Sequence, residues 1–160
     1  MNKLTQEIFE YIKKTYNASP EYLWKKFPNH CVFRNSKSKK WFVLFGEVKN
    51  KSLGINSDGN SFLLDIKLDK FEVEMLKNQQ GFLPAYHMNK QSWITILLNG
   101  EVPLGIIEEL IDKSFSLSKK NKKKQKPLLL FLARPEGLEP SIIVPKTIVI
   151  STSLWAHIFS

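Results

Sequence analysis

The sequence predicts an α+β fold built on an antiparallel sheet. Helical periodicity brackets the first 118 residues and recurs once inside them, and two strongly apolar runs of strand length lie between. Most strands also lie beside their neighbours in sequence, with the helices kept apart from them, which argues against a wound parallel sheet.

The chain opens with Leu4, Ile8, Tyr11, Ile12 and Tyr16 at helical spacing and Lys13 and Lys14 opposite them, so an amphipathic helix is expected, ended by Asn17-Ala18. Ser19-Pro20-Glu21 then has the form of an N-cap, a proline at the first helical position and an acid on the helix dipole. It predicts a second, short helix, stopped by Phe27-Pro28-Asn29. The period then changes. Cys31-Val32-Phe33-Arg34 reads as a short strand, Asn35-Ser36-Lys37-Ser38 as a turn, and Trp41-Phe42-Val43-Leu44-Phe45 as a strand buried on both faces. Lys49 to Ser61 is polar and glycine-containing, a loop. Phe62 to Leu68 alternates, with Leu64, Ile66 and Leu68 on one face and Asp65 and Lys67 on the other.

Asp69-Lys70-Phe71-Glu72 has capping-box spacing and predicts a helix to about Gln79, with Gly81 as its stop. Gly81 to Asn89 reads as a loop leading into a strand edge. Trp93-Ile94-Thr95-Ile96-Leu97-Leu98 is the second strongly apolar strand, closed by Asn99-Gly100. Pro103 opens the last helix, whose Leu104, Ile107, Leu110, Ile111 and Phe115 form one stripe.

Composition narrows the class. Of 160 residues 42% are apolar, enough for a core, and 24% are charged, too ordinary for wholesale disorder. The single cysteine, Cys31, excludes an internal disulfide. With neither a secretory h-region nor a stretch of about 20 apolar residues, a cytoplasmic protein with no membrane partner is expected. Charge is uneven: residues 1–60 hold 11 Lys and Arg against 5 Asp and Glu, residues 61–118 hold 5 against 8, and residues 119–160 hold 8 against 2. A polyanion can therefore be met by the first half of the domain, by the end of the chain, or by both.

The folded domain is expected to span residues 1–118, with 119–160 as an appendage. Lys119 to Lys126 carries six lysines in eight positions, a solvated run that reads either as a disordered extension or as a basic arm on phosphates. Beyond it, Leu132-Ala133-Arg134-Pro135-Glu136-Gly137-Leu138-Glu139-Pro140-Ser141 resembles the peptide made when a transfer-RNA gene is translated by mistake. That resemblance implies a segment without an evolved function, and no site is assigned to it.

Catalytic and metal chemistry find little footing. His30, His87 and His157 are not paired at ligand spacing, and Asp65, Asp69, Glu72 and Glu74 are accounted for by capping and helix surface, so no metal is expected. Cys31 on a short strand reads as a small buried hydrophobe, and no glycine pattern forms a phosphate or dinucleotide cradle. Neither an enzymatic role nor a cofactor is expected.

Two clusters remain. Arg34, Lys37, Lys39 and Lys40 gather at a hairpin tip, backed by Lys49 and Lys51, in the manner of a phosphate-binding wing; the bland alternative is a solvated turn. His87-Met88-Asn89-Lys90 precedes Trp93 and joins an imidazole, an amide and an ammonium, a set able to hold an anion or read a base edge. Here His87 fits better as a group satisfying the start of the strand, and Asn89 and Lys90 as contacts.

Pro20-Glu21-Tyr22-Leu23-Trp24, the Val32-Phe33-Arg34 to Lys40-Trp41-Phe42 hairpin, and His87-Met88-Asn89-Lys90 with Trp93 are similar to the bacterial MmcQ/YjbR family. The resemblance covers the chain to about Ser118. It implies a CyaY-like fold, a small antiparallel sheet with helices packed on one side, and DNA binding, which is inferred for the family from likeness to a double-wing DNA-binding domain. Frataxin-type iron binding through an acidic ridge is the rival that such a fold raises. The first helix bears only Glu7 and Glu10 among Lys3, Lys13 and Lys14, so that rival is not supported.

The resulting expectation is non-catalytic binding of DNA through Arg34, Lys37, Lys39, Lys40 and Lys49, with Asn89 and Lys90 as a second contact. The alternative is a protein-interaction or small-anion module using the His87–Lys90 surface.

Overall fold

The computed structural model describes residues 1–119, so the expected appendage, apart from Lys119, lies outside the described residues. Helix α1 (Lys3–Tyr16) begins at Asn2, whose side chain accepts the Thr5 N–H at 2.8 Å, and ends at Asn17 in the left-handed region, φ 51°. Ile8 and Ile12 are fully buried on the expected stripe.

The second helix is absent, and this corrects the sequence expectation. Residues 19–27 run irregularly, and Glu21 instead exchanges two backbone hydrogen bonds with Val32, at 2.9 and 3.0 Å. The local signals at Ser19-Pro20-Glu21 are real, but they compete with the outer edge of strand β1 (Cys31–Arg34), whose unpaired backbone groups the bridge satisfies.

The remaining elements are β2 (Trp41–Lys49), a 3₁₀ turn (Asn50–Leu53), β3 (Asn60–Lys67), α2 (Lys70–Leu76), β4 (Phe82–Pro84), β5 (Trp93–Leu97) and α3 (Leu104–Lys119). The five strands form one antiparallel sheet in the order β1-β2-β3-β5-β4. Asp69 caps α2 by accepting the Glu72 N–H at 3.0 Å, but the Glu72 carboxylate pairs with Lys113 of α3, so only half of the capping box forms. The helix stops at Leu76, short of Gln79.

A bulge sorts the aromatic residues. Phe33 faces Val43 while Arg34 faces Trp41, which leaves Phe42 as the extra residue. Phe42 then joins the helical side, packing on Tyr16 and Phe115 at 5.4 and 5.1 Å, and Trp41 meets Trp24 on the other side at 5.9 Å. Ser114 of α3 holds the irregularity: its hydroxyl donates to the Phe42 carbonyl and accepts the Lys67 N–H at 2.8 Å.

On the helical face Phe9 meets Phe33 and Phe45 edge-on at 5.0 and 5.1 Å, above buried Ile66, Ile94, Ile96, Ile107 and Leu110. The opposite face carries Val32, Leu44, Val48 and Leu63, covered by Trp24, Trp41, Leu53, Tyr86 and Met88. That cover corrects a second expectation. Asp65 is fully buried instead of lying on a polar face, because residues 18–30 and 85–92 cross the sheet there.

Candidate functional site

The hairpin between β1 and β2 is built around Asn35, which is buried. Its side-chain oxygen accepts the N–H groups of Lys37 and Ser38 at 3.0 and 3.3 Å, and its amide donates to Ser118 of α3 at 2.9 Å. Backbone bonds Lys39 to Asn35 and Asn35 to Lys40, both 2.9 Å, close the turn with Lys39 at φ 63°. A single buried amide thus fixes the turn and ties it to the end of α3. Lys37 and Lys39 are exposed, and Lys40 is half-buried.

Beside this tip an open groove of about 610 Å³ runs between the ends of α1 and α3, lined by Thr15, Tyr16, Asn35, Ser36, Lys37, Ser38, Phe115 and Lys119. Arg34 is engaged elsewhere. Its guanidinium bonds Glu21 at 3.3 Å and the Lys39 carbonyl at 2.8 Å, and lies 5.8 Å from the centre of the Trp41 ring. Lys49 is separated from the hairpin by the length of β2, nine residues or roughly 27 Å, and Lys51 pairs with Asp58 at 3.0 Å. Asn89 and Lys90 are exposed in the turn before β5, and Asn89 accepts the Gln91 N–H at 2.9 Å. Because Lys67 of β3 faces Trp93, that turn lies at the sheet end that carries the hairpin. The structure therefore gathers Lys37, Lys39 and Lys40, adds Lys119, and leaves Lys49 apart. Lys119 was missed because it opens the lysine run; the last turn of the apolar stripe, through Phe115, already reaches it.

A second feature lies on the face opposite α1 and α3. Here Leu44, Leu63 and Asp65 of the sheet, with Trp24, Phe27, His30, Trp41, Tyr86, His87 and Met88, enclose a cavity of about 330 Å³. His30 packs on β2 at Gly46 because that residue has no side chain; a Cβ there would come within 2.7 Å of the ring. Burial, then the neighbouring His87, lowers the pKa of His30, and Glu47 opposes them. Burial pushes the Asp65 carboxyl up to about 7, against the Thr95 hydroxyl and the Tyr86 backbone N–H, which favour its charged form. His87 and Met88 line this cavity, while Asn89 and Lys90 are exposed in the turn that follows. Sequence reasoning passed over the cavity entirely. Its one signal was an acid between Leu64 and Ile66 in a strand facing another apolar strand.

Cys31 is buried with its thiol raised to about 12, so it packs as an inert apolar side chain. Asp69, Glu72 and Glu74 are used as a cap and in ion pairs with Lys113 and Lys77.

The family model described as YjbR matches residues 7–117. The chain belongs to the YjbR family. The Bacillus subtilis (strain 168) protein named "Uncharacterized protein YyaQ" is 38% identical over 114 residues, covering 71% of this YjbR-family chain and 97% of that protein. A crystal structure of a Pseudomonas syringae protein matches with a TM-score of 0.70 at 39% identity, covering 74% of this chain and 100% of that one. A Deinococcus radiodurans protein, with a TM-score of 0.56 at 23% identity over 85% of this chain and 92% of its own, shares the fold. The α+β architecture expected from the sequence is thus the architecture of the family. No helix among the described residues is long and apolar enough to cross a membrane.

Proposed function

We propose that this YjbR-family chain binds DNA without catalysing a reaction on it, by neutralising phosphates at the end formed by the β1–β2 hairpin and the C-termini of α1 and α3. The observation that carries this reading is the groove in which Lys37 and Lys119 flank the hydroxyls of Thr15, Ser36 and Ser38. Ammonium groups and hydroxyls are the donors that phosphate oxygens take, and such bonds set affinity without reading sequence. Lys39 extends the surface along the tip, and Lys90 extends it across the same end of the sheet. Arg34 contributes by position, since its fork is committed to Glu21.

The test uses a chain ending at Asn121, which bounds one compact unit and contains the whole family match. A Pseudomonas syringae chain matched over its whole length covers 74% of this YjbR-family chain. Removing the later lysines matters, because a lysine run can attract DNA by charge alone and would mimic binding by the folded domain. Affinity for a labelled duplex should fall linearly on a log–log salt plot. The Lys37→Ala, Lys39→Ala, Lys119→Ala triple variant should weaken binding on every sequence and lower the slope by roughly 0.9 for each phosphate that is no longer neutralised. Absence of binding at low salt would overturn the reading.

A further inference from the structure

We propose that the cavity on the sheet face opposite α1 and α3 binds a small organic cation, an alkylammonium or guanidinium group, held by Asp65 and His30 and enclosed by the rings of Trp24, Trp41 and Tyr86. This site is independent of the phosphate groove and stands or falls without it.

The first support is what the fold leaves unpaired. Among the described residues two buried side-chain polar atoms have no hydrogen-bond partner, His30 Nδ1 and Asp65 Oδ2, and both belong to residues that line this one cavity. Native structures pair nearly all such groups, with protein, ordered water or a bound ion, so each exception asks for a partner. Asp65 is fully buried and its other oxygen takes the Thr95 hydroxyl, so Oδ2 is the acceptor held in reserve. The neutral imidazole of His30 accepts at Nδ1 when its proton sits on Nε2. Both atoms can accept once Asp65 is ionised, and an ammonium or guanidinium, which only donates, completes both.

The second support is the wall. Trp24, Phe27, Trp41 and Tyr86 surround the space, and aromatic faces attract a desolvated cation. Neither lysine nor arginine lines the cavity, so an anion would meet no counter-charge. A neutral heterocycle would stack on the rings but bring acceptors toward acceptors. The volume, about 330 Å³, lies at the lower end of ligand pockets and suits one short alkyl arm. Oδ2 is buried, and the unbranched, flexible Met88 is the lining side chain most able to yield to a ligand.

The experiment titrates the full chain with n-butylammonium chloride and follows the indole N–H signals of Trp24 and Trp41 by two-dimensional NMR. Sodium chloride at equal ionic strength, n-butanol and sodium butyrate serve as comparisons. Saturable shifts at both indoles with butylammonium, at least tenfold weaker with butanol and absent with butyrate, are expected. Asp65→Asn keeps the shape and should weaken the ammonium at least tenfold while leaving butanol unchanged. Trp24→Leu changes a half-buried wall outside the strands and should weaken it severalfold, which keeps the test decisive if Asp65→Asn does not fold. Equal binding of butanol and butylammonium, or full affinity in Asp65→Asn, or no shift at the two indoles, overturns the proposal.

Discussion

Asp65 of β3 and Thr95 of β5 face each other in register, and the Thr95 hydroxyl donates to Asp65 Oδ1 while accepting the Tyr86 N–H at 3.0 Å. One threonine thus joins a fully buried acid of the sheet to the segment that covers it. The bond is local compensation for a buried carboxyl, and it is incomplete, because burial still outweighs it.

That imbalance makes stability depend on pH in a definite direction. An unfolded aspartate titrates near 4, whereas Asp65 in the fold titrates at about 7. Between those values the folded state holds a proton that the unfolded state has released, so this group's contribution is complete below about pH 4 and is lost as pH rises to about 7. The loss is on the order of 4 kcal/mol. His30 acts in the opposite sense, since its lowered pKa costs stability on the acid side. Comparing wild type with Asp65→Asn isolates the carboxyl. Urea unfolding of both at pH 4.5 and pH 7.5 should show the wild type losing ground relative to the variant as pH rises, and a constant difference would mean that Asp65 is ionised throughout.

Arg34 is a cation whose sequence position misleads. At a hairpin tip next to three lysines it looks like a phosphate contact, yet its fork spans Glu21 and the Lys39 carbonyl. With side chains 30% and 42% exposed, the Arg34–Glu21 pair is worth about 1 kcal/mol. Its larger effect is to fasten residues 19–24 along β1. Arg34→Ala should speed hydrogen exchange at the Glu21 and Val32 amides, which form the bridge, and leave the salt dependence of DNA binding unaltered. Lys37→Ala should do the reverse. A flattened salt slope with protected bridge amides would return Arg34 to the phosphate surface.

The two cases show what a sequence encodes locally and what it does not. Helices α1 and α3 and the strands around Trp41–Phe45 and Trp93–Leu97 were legible because their own periodicity decides them. Ser19-Pro20-Glu21 failed because its competitor, the open edge of β1, is ten residues away and exerts no local signal. Asp65 failed because alternation says which residues share a face but not whether another segment covers that face. The hairpin lysines were legible as a cluster; the cavity was not, since Trp24, Trp41, Tyr86 and Asp65 meet only after three segments fold over one another.

Gly46 is where the cavity is most sensitive to a small change. It lies mid-strand opposite Leu63, so its role is space, not backbone freedom. A methyl at this position would stand 2.7 Å from both Cδ2 and Nε2 of His30, and the backbone behind it cannot retreat from a five-stranded sheet. The imidazole must move instead. Overfilling of this kind costs about 1–3 kcal/mol, more than alanine gains over glycine in a strand. Gly46→Ala should therefore lower Tm by several degrees and shift the His30 ring signals in NMR, with Phe27, 5.2 Å from that ring, shifting alongside. The Lys37 and Lys39 amides, on the far side of β2, should not respond. An unchanged Tm with an unshifted His30 ring would mean that the imidazole does not rest on Gly46 in solution, and that this wall of the cavity is open.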